Sequence, residues 1–293
     1  MKLSPFTNHV VEVIQQKINI PVIFRHITPE HGGSINEAFK LDTSAGFFFL
    51  KKNDAKLYPD MFKCELQGLS FIQNTQTLHT PEIIACGEFE AHQFLILKFT
   101  EKGIPGKNYW EDFGYGLAKM HRCTNPYFGF DNDNYIGSLH QINKKESSWS
   151  EFFIHHRLEP LVAMALNAKK LNHSHYDLFQ NLFKKIGQLF PEENASLVHG
   201  DLWNGNCFAN TDGHPVIFDP AVYFGHREMD IAMTRLFGGF HSKFYAAYNE
   251  VYPLENGWEE RIRIANLYPL LVHVNLFGGS YIGEVESVLN HFK

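Results

Sequence analysis

The stretch His199-Gly200-Asp201-Leu202-Trp203-Asn204-Gly205-Asn206, followed later by Phe218-Asp219-Pro220, decides how this chain is read. A kinase-type phosphoryl-transfer site needs one Asp to accept the proton of the attacking hydroxyl. It also needs an Asn five positions on to hold a magnesium ion, and a second Asp for the metal that bridges the phosphates. Asp201, Asn206 and Asp219 stand in those places in that order. The short loop between Asp201 and Asn206 lets the backbone fold back so that both side chains face one phosphoryl group, and Gly200 and Gly205 relieve the steric cost of the turn. Between Asn206 and Asp219, the apolar runs 207–209 and 216–218 flank Asn210-Thr211-Asp212-Gly213-His214-Pro215. This pattern predicts a hairpin that returns Asp219 to the side of Asn206. Each residue alone is an ordinary turn former, and it is the ordered set that carries the reading.

Upstream, the pattern is strand, glycine turn, strand, turn, strand: a segment beginning at Pro21, then His31-Gly32-Gly33-Ser34, Ala38–Leu41, a turn at 44–46, and Phe47–Lys51. Gly32, Gly33 and Ser34 form a candidate loop whose backbone N–H groups could approach phosphates. Lys51 ends an apolar strand, where a cation is costly unless it meets an anion. Strand alternation puts Lys51 and Lys52 on opposite faces, so only one of them can serve the site. A helix is expected from about Asp60 to Asn74, with Phe62, Leu66, Leu69 and Ile72 on one face and Glu65 within it. A helix Glu paired with the strand Lys would aim that Lys at the α- and β-phosphates. Phe94–Leu97 reads as a buried strand and Lys98–Gly103 as its exit, a hinge.

Beyond the hinge the pattern is helical. Trp110, Phe113, Leu117 and Met120 make one apolar stripe; Tyr176, Phe179, Leu182, Phe183, Ile186 and Phe190 make another,. Trp149–Arg157 and Trp258–Phe277 also favour helix, the latter bent or interrupted at Pro269. The expected fold is α+β and protein-kinase-like, with a nucleotide-binding lobe and hinge at residues 1–101 and a helical catalytic and substrate-binding lobe at 102–293.

With 293 residues, 44% hydrophobic and 20% charged, the chain can bury a substantial core,. The net charge of −6 gives no basis for a nucleic-acid surface,. The four cysteines lack a C-x-x-C pair, which points away from zinc and from a disulfide framework and towards thiols in a reducing cytoplasm,. No apolar run has signal-peptide or membrane-spanning length. The pairs His155-His156 and His173/His175 lack accompanying metal ligands.

At this point the motifs resemble those of the fructosamine/ketosamine-3-kinase family, within the protein-kinase-like small-molecule kinases that include aminoglycoside and choline kinases. His199–Asn206 is similar to the family's HGDLW-x-GN signature, with Asn204 where many relatives have Ser. Residues 218–233, Leu236-Phe-Gly-Gly-Phe240 and Asn275-Leu-Phe-Gly-Gly-Ser-Tyr281 extend the resemblance almost to the C-terminus. The resemblance implies ATP and Mg2+ as cofactors, Asp201 as proton acceptor and Asn206 and Asp219 as metal ligands. It implies Lys51 rather than Lys52 as the phosphate-binding Lys with Glu65 as its partner, and Phe99, Thr100 and Glu101 as the adenine-binding hinge. It further implies His199 as loop organiser and Asp230 as a brace. Trp203, Tyr223, His226, Arg227 and Glu228 are candidate substrate-pocket residues, although Arg227 and Glu228 could equally form a structural ion pair. Ser34 replaces a Cys of some relatives, and no Ala-Pro-Glu motif or extended activation segment follows Asp219. The implied activity is ATP-dependent phosphorylation of the 3-hydroxyl of a ketosamine, free or on a glycated protein lysine, in deglycation or repair. An aminoglycoside- or choline-type kinase and an inactive pseudokinase serving as an interaction module are the alternatives. The oligomeric state is left open.

Overall fold

A computed structural model describes residues 3–30 and 35–293. Gly32, Gly33 and Ser34, the candidate phosphate loop, lie outside the described residues.

Helix α1 (Pro5–Ile18) starts where Pro5 supplies a pre-set φ and Ser4 caps it, its hydroxyl accepting from Thr7 N–H at 3.1 Å,. Five antiparallel strands follow: β1 (Phe24–Glu30), β2 (Glu37–Thr43), β3 (Gly46–Asp54), β4 (Ile83–Phe89) and β5 (His92–Lys98). Their order across the sheet is β1-β2-β3-β5-β4. Helix α2 (Met61–Thr75) lies between β3 and β4 in sequence. The twofold period of β3 sorts its side chains. Phe48 and Leu50 face Val10 and Ile14 of α1, while Lys51 faces the side on which Phe62 and Leu69 of α2 pack against Leu95 and Leu97,. The sheet is thus covered by a helix on each face, and Lys51 emerges on the face that carries α2.

The chain leaves β5 through residues 99–102. Gly103 N–H then donates to the Ala209 carbonyl at 2.7 Å and Gly106 N–H to that of Gly213 at 3.0 Å. A Cβ at Gly103 would sit 2.2 Å from the Asn210 carbonyl oxygen, so only glycine lets these backbones meet,. Helix α3 (Tyr109–His121), the two-residue strand β6 (Thr124–Asn125), a hairpin of β7 (Asn134–Ile136) and β8 (Leu139–Gln141), α4 (Trp149–Phe152), α5 (Glu159–Asn167) and α6 (His173–Leu189) lead to β9 (Ala195–Val198). The helix expected over 149–157 is partly a wider π-turn at Phe153–Leu158. Then come the hairpin β10 (Cys207–Ala209) and β11 (Pro215–Ile217), β12 (Tyr223–Gly225), and helices α7 (Glu228–Leu236), α8 (Ser242–Val251), α9 (Trp258–Ala265), α10 (Leu267–Phe277) and α11 (Tyr281–His291). Most of both apolar stripes is buried in one large core, Phe113, Leu117 and Met120 of α3 and Phe179, Leu182 and Ile186 of α6, whereas Tyr176 in the first turn of α6 is exposed.

Two expectations are met differently. The β10–β11 hairpin pairs as its pattern predicts, Cys207 with Ile217 and Ala209 with Pro215. The 258–277 helix breaks at Asn266 rather than at Pro269. Pro269 lies in the first turn of α10, where its missing N–H leaves no hydrogen bond unmade.

Candidate active site

The catalytic-loop motif lies between β9 and β10. Gly200 adopts φ +81°, and a Cβ there would approach the Ala221 carbonyl oxygen to 2.2 Å. The indole of Trp203 folds over Gly205, whose absent Cβ would meet the ring at 2.3 Å. Gly200 is therefore required by both its backbone conformation and close packing, whereas at Gly205 the missing Cβ makes room for the Trp203 ring,. Asp230 of α7, 1% exposed, takes His199 N–H at 2.7 Å and Gly200 N–H at 2.9 Å, and also meets His121 Nε2 at 3.1 Å. These donors hold its carboxyl below the usual range against the effect of burial,. His199 completes the brace. Asp201 N–H donates to its Nδ1 at 3.3 Å, so the ring proton sits on Nε2 and is donated to the Phe218 carbonyl at 3.0 Å. Burial lowers the His199 pKa, which keeps that tautomer neutral.

On this brace, Asn206 Nδ2 donates to both the carbonyl and Oδ2 of Asp201 at 2.8 Å. The remaining side-chain oxygen of Asn206 is then the atom that could face a cation. Burial pushes the Asp201 carboxyl up to about 7, with Asn206 opposing and the Asp219 and Asp230 carboxylates adding to the rise. A carboxylate so placed can accept a proton near neutral pH. Asp219 follows β11 with φ +55°, a left-handed conformation uncommon for a residue with a side chain,.

Three distant segments meet at Lys51. Its ammonium lies 2.7 Å from Glu65 Oε1 of α2 and also contacts Asp219 Oδ1. Burial works against its charge, but Asp219 and Glu65 more than offset this and hold its pKa above the ordinary lysine value. Glu65 is pushed up by burial, with Lys51 opposing. Lys52 points to the other face, towards Glu37 at 3.3 Å. Lys51, Glu65, Asp201, Asn206 and Asp219 line one cavity of about 220 Å3 with Ile35, Met61, Asn134 and Ile136. No group of three or more His, Cys, Asp or Glu side chains suited to a metal occurs among the described residues. An Asp and an Asn with room beside them nonetheless fit magnesium, which accepts few protein ligands and completes its shell with phosphate oxygens and water.

The hinge is partly committed. Phe99 N–H donates to the Phe47 carbonyl at 3.0 Å, and the ammonium of Lys40 lies 4.2 Å from the Phe99 ring centre. The other backbone groups of Phe99, Thr100 and Glu101 are the ones that could meet a base.

None of the five candidate substrate residues lines this cavity, and four of them are buried in the protein interior. Tyr223 is fully buried, with the Arg157 guanidinium 4.0 Å from its ring centre. His226 is fully buried, and burial pushes its imidazole down to about 4. Arg227 makes a bidentate pair with Glu193 at 2.7 and 2.8 Å, and Glu228 one with Arg261 at 2.6 and 2.8 Å. The physical reason is β12, which pairs Tyr223 with Val198 and so carries the chain behind the catalytic loop. Trp203 is different. It is half-buried, its ring 5.6 Å from that of Phe237, which in turn lies 5.0 Å from His273. Asn204 ties the loop to this cluster through the carbonyls of Phe237 and Gly239 at 3.4 and 3.2 Å. Sequence reasoning missed the wall formed by Asn134, Ile136 and Gly137 of the β7–β8 hairpin. A cluster of Asn and Gln at 132, 134, 141 and 143 was the available signal.

Comparison with known proteins agrees with this geometry. A sequence model described as fructosamine kinase matches residues 6–293. A "Probable ketoamine kinase" of Enterococcus faecium is 36% identical over 272 residues, covering 91% of this chain and 95% of the relative. The chloroplastic protein-ribulosamine 3-kinase of Oryza sativa subsp. indica is 37% identical, covering 89% of this chain and 77% of the relative. A crystal structure from Thermobifida fusca, of a "putative fructosamine-3-kinase", superposes with TM-score 0.88 at 30% identity, covering 97% of this chain and 98% of that one. Aminoglycoside phosphotransferase APH(4)-Ia, solved with AMP-PNP and hygromycin B, shares the fold alone, with TM-score 0.65 at 14% identity. The chain belongs to the fructosamine kinase family.

Proposed function

We propose that the protein is an ATP-dependent kinase that phosphorylates the 3-hydroxyl of a ketosamine, with Asp201 as proton acceptor. The observation that carries the residue roles is that Asp201, Asn206, Asp219, Lys51 and Glu65, from four separate segments, line one cavity. Bound ATP supplies the phosphoryl group and Mg2+ the charge that neutralises it. Asp201 orients the acceptor hydroxyl and takes its proton as the bond to phosphorus forms. Lys51, held by Glu65, offsets charge on the phosphates, and positioning does most of the catalysis. Asn206 and Asp219 would hold Mg2+ through their side-chain oxygens, where the ion would neutralise phosphate charge. Trp203 and the Phe237–His273 cluster beside the loop offer aromatic faces suited to the apolar face of a sugar, and we assign the acceptor to that side.

The acceptor is a ketosamine on a small amine or on the lysine of a glycated protein. ADP release measured across ribulosamine, fructosamine, kanamycin and choline tests the assignment. Turnover of the first two is expected; turnover of only the last two would overturn it. Equal turnover of a free ribulosamine and a ribosylated protein would extend the substrate class to proteins.

A further inference from the structure

We propose that the β7–β8 hairpin is an interlobe strut, with Asn134 and Tyr135 as positioning residues that hold Glu65 and Asp219 in register about Lys51. The inference rests on the kinase reading above. Kinases gated by phosphorylation keep the helix Glu and the metal-binding Asp aligned through a long activation segment. Here only Pro220, Ala221 and Val222 separate Asp219 from β12, so something else must fix the alignment.

The hairpin touches both the α2 segment and the segment that follows Asp219. On the N-lobe side, Tyr135 Oη donates to the Pro59 carbonyl at 3.0 Å, at the entry to α2. Asn132 Nδ2 reaches Gln67 Oε1 at 3.4 Å, and Cys64 Sγ lies 3.5 Å from the Asp133 carbonyl. Cys64 and Gln67 flank Glu65 in sequence, so the hairpin grips the turn that carries it. On the other side, Asn134 Nδ2 donates to the Val222 carbonyl at 2.8 Å and Gln141 Nε2 to that of Ala221 at 3.0 Å. These are the residues that carry the chain away from Asp219.

The hub is rigid because it is buried and satisfied. Asn134 is 6% exposed, and its Oδ1 accepts from Gln141 at 2.7 Å and Asn143 at 3.0 Å. Gln141 Oε1 in turn accepts Tyr268 Oη at 2.6 Å, and Asn143 Oδ1 accepts from Arg157 at 2.7 Å. The Asn134, Gln141 and Asn143 amides are each partnered at both nitrogen and oxygen, which favours a single arrangement,. The contact closes directly as well: a Cβ on Gly68 of α2 would come within 3.1 Å of Val222 and 3.3 Å of Pro220. Helix, hairpin and metal-binding segment form one junction, and any slack in it appears at Lys51.

Full-length Tyr135→Phe and Asn134→Asp variants test this. Asn134→Asp keeps the acceptor for Gln141 and Asn143 but sets an oxygen against the Val222 carbonyl. It is expected to raise the Mg2+ concentration for half-maximal activity by about tenfold, with the acceptor KM unchanged. Calorimetry is expected to show weaker binding of Mg·ATP but unchanged binding of metal-free ATP. Tyr135→Phe is expected to lower kcat about threefold at unchanged Tm, and this effect is expected to vanish on a Glu65→Gln background. Independent, multiplying effects of Tyr135→Phe and Glu65→Gln would overturn the strut. So would an Asn134→Asp protein with the wild-type ratio of Mg·ATP to ATP affinity. Should Asn134→Asp fail to fold, the Tyr135–Glu65 cycle decides alone. If the wild type turned over no ketosamine, the function would be wrong while the nucleotide titrations still judged the strut.

Discussion

Two ionic clusters draw on the segments before and after the catalytic loop, Glu193 and Arg227 in one and Asp219 in the other, and they do opposite things. The cluster of Lys51, Glu65 and Asp219 opens on a cavity, and its Asp219 is 36% exposed. The pair of Arg227 with Glu193, and beside it Glu228 with Arg261, is largely buried and saturated. Arg227 also donates to the carbonyls of Tyr252 and Pro253 at 2.7 Å and lies 3.7 Å from the centre of the Tyr252 ring. In the first cluster Asp219 has lone pairs left for a cation. In the second, the guanidinium and both carboxylate oxygens are already matched. Charge with spare capacity beside a cavity marks chemistry, whereas saturated charge marks scaffold.

Substitutions should separate the two clusters cleanly. In the open site, Asp201→Asn is expected to lower kcat about 10²–10⁴-fold, with ATP binding retained in a nucleotide titration. A loss below tenfold would take the proton-accepting role from Asp201. In the saturated cluster, Arg227→Leu leaves Glu193 buried without its partner and is expected to cost about 3–5 kcal/mol in chemical denaturation. Activity per folded molecule should stay near wild type. A raised acceptor KM at unchanged stability would instead move Arg227 into the cleft and erase the contrast. Trp203→Ala, at the margin of the open site, is expected to raise the acceptor KM about 3–10-fold with a smaller change in kcat.

The smallest expected effect has the opposite sign. Burial raises the folded-state pKa of Asp201 to about 7 from an ordinary 3.8. The native protein therefore binds the proton more tightly than the unfolded chain, and stability is lost as pH rises towards 7. Asp201→Asn removes that loss. The ligand-free variant should melt about 2–4 °C above wild type at pH 8, with the gain fading below about pH 4, where the carboxyl is neutral in both states. Equal melting at pH 8 would mean that the open site carries no stability cost.

The loop, its returning hairpin and the lobe order were legible because spacing and apolar periodicity encode them locally. Lys51 could be separated from Lys52 by strand alternation, together with the resemblance. The run from Tyr223 to Glu228 was misread for a physical reason: nearness to Asp219 in sequence is not nearness in space once β12 pairs with β9. The β7–β8 hairpin went unseen because Asn134, Gln141 and Asn143 are polar residues with a buried role, and polarity in a sequence reads as surface loop. Where α9 ends and α10 begins at Asn266 was likewise hidden behind Pro269, since a proline breaks a helix only when it lies beyond the first turn.

The crossing between the lobes has one further consequence. Phe99 is fastened to Phe47 on one side, while Lys102 bridges to Asn210 and Gly103 to Ala209 on the other. Only Thr100 and Glu101 remain untethered between the two anchorages. A joint that short behaves as a wrist, able to rotate but not to stretch. A purine seated against those two residues would splint it, so lobe movement and nucleotide residence would be governed by the same few backbone torsions.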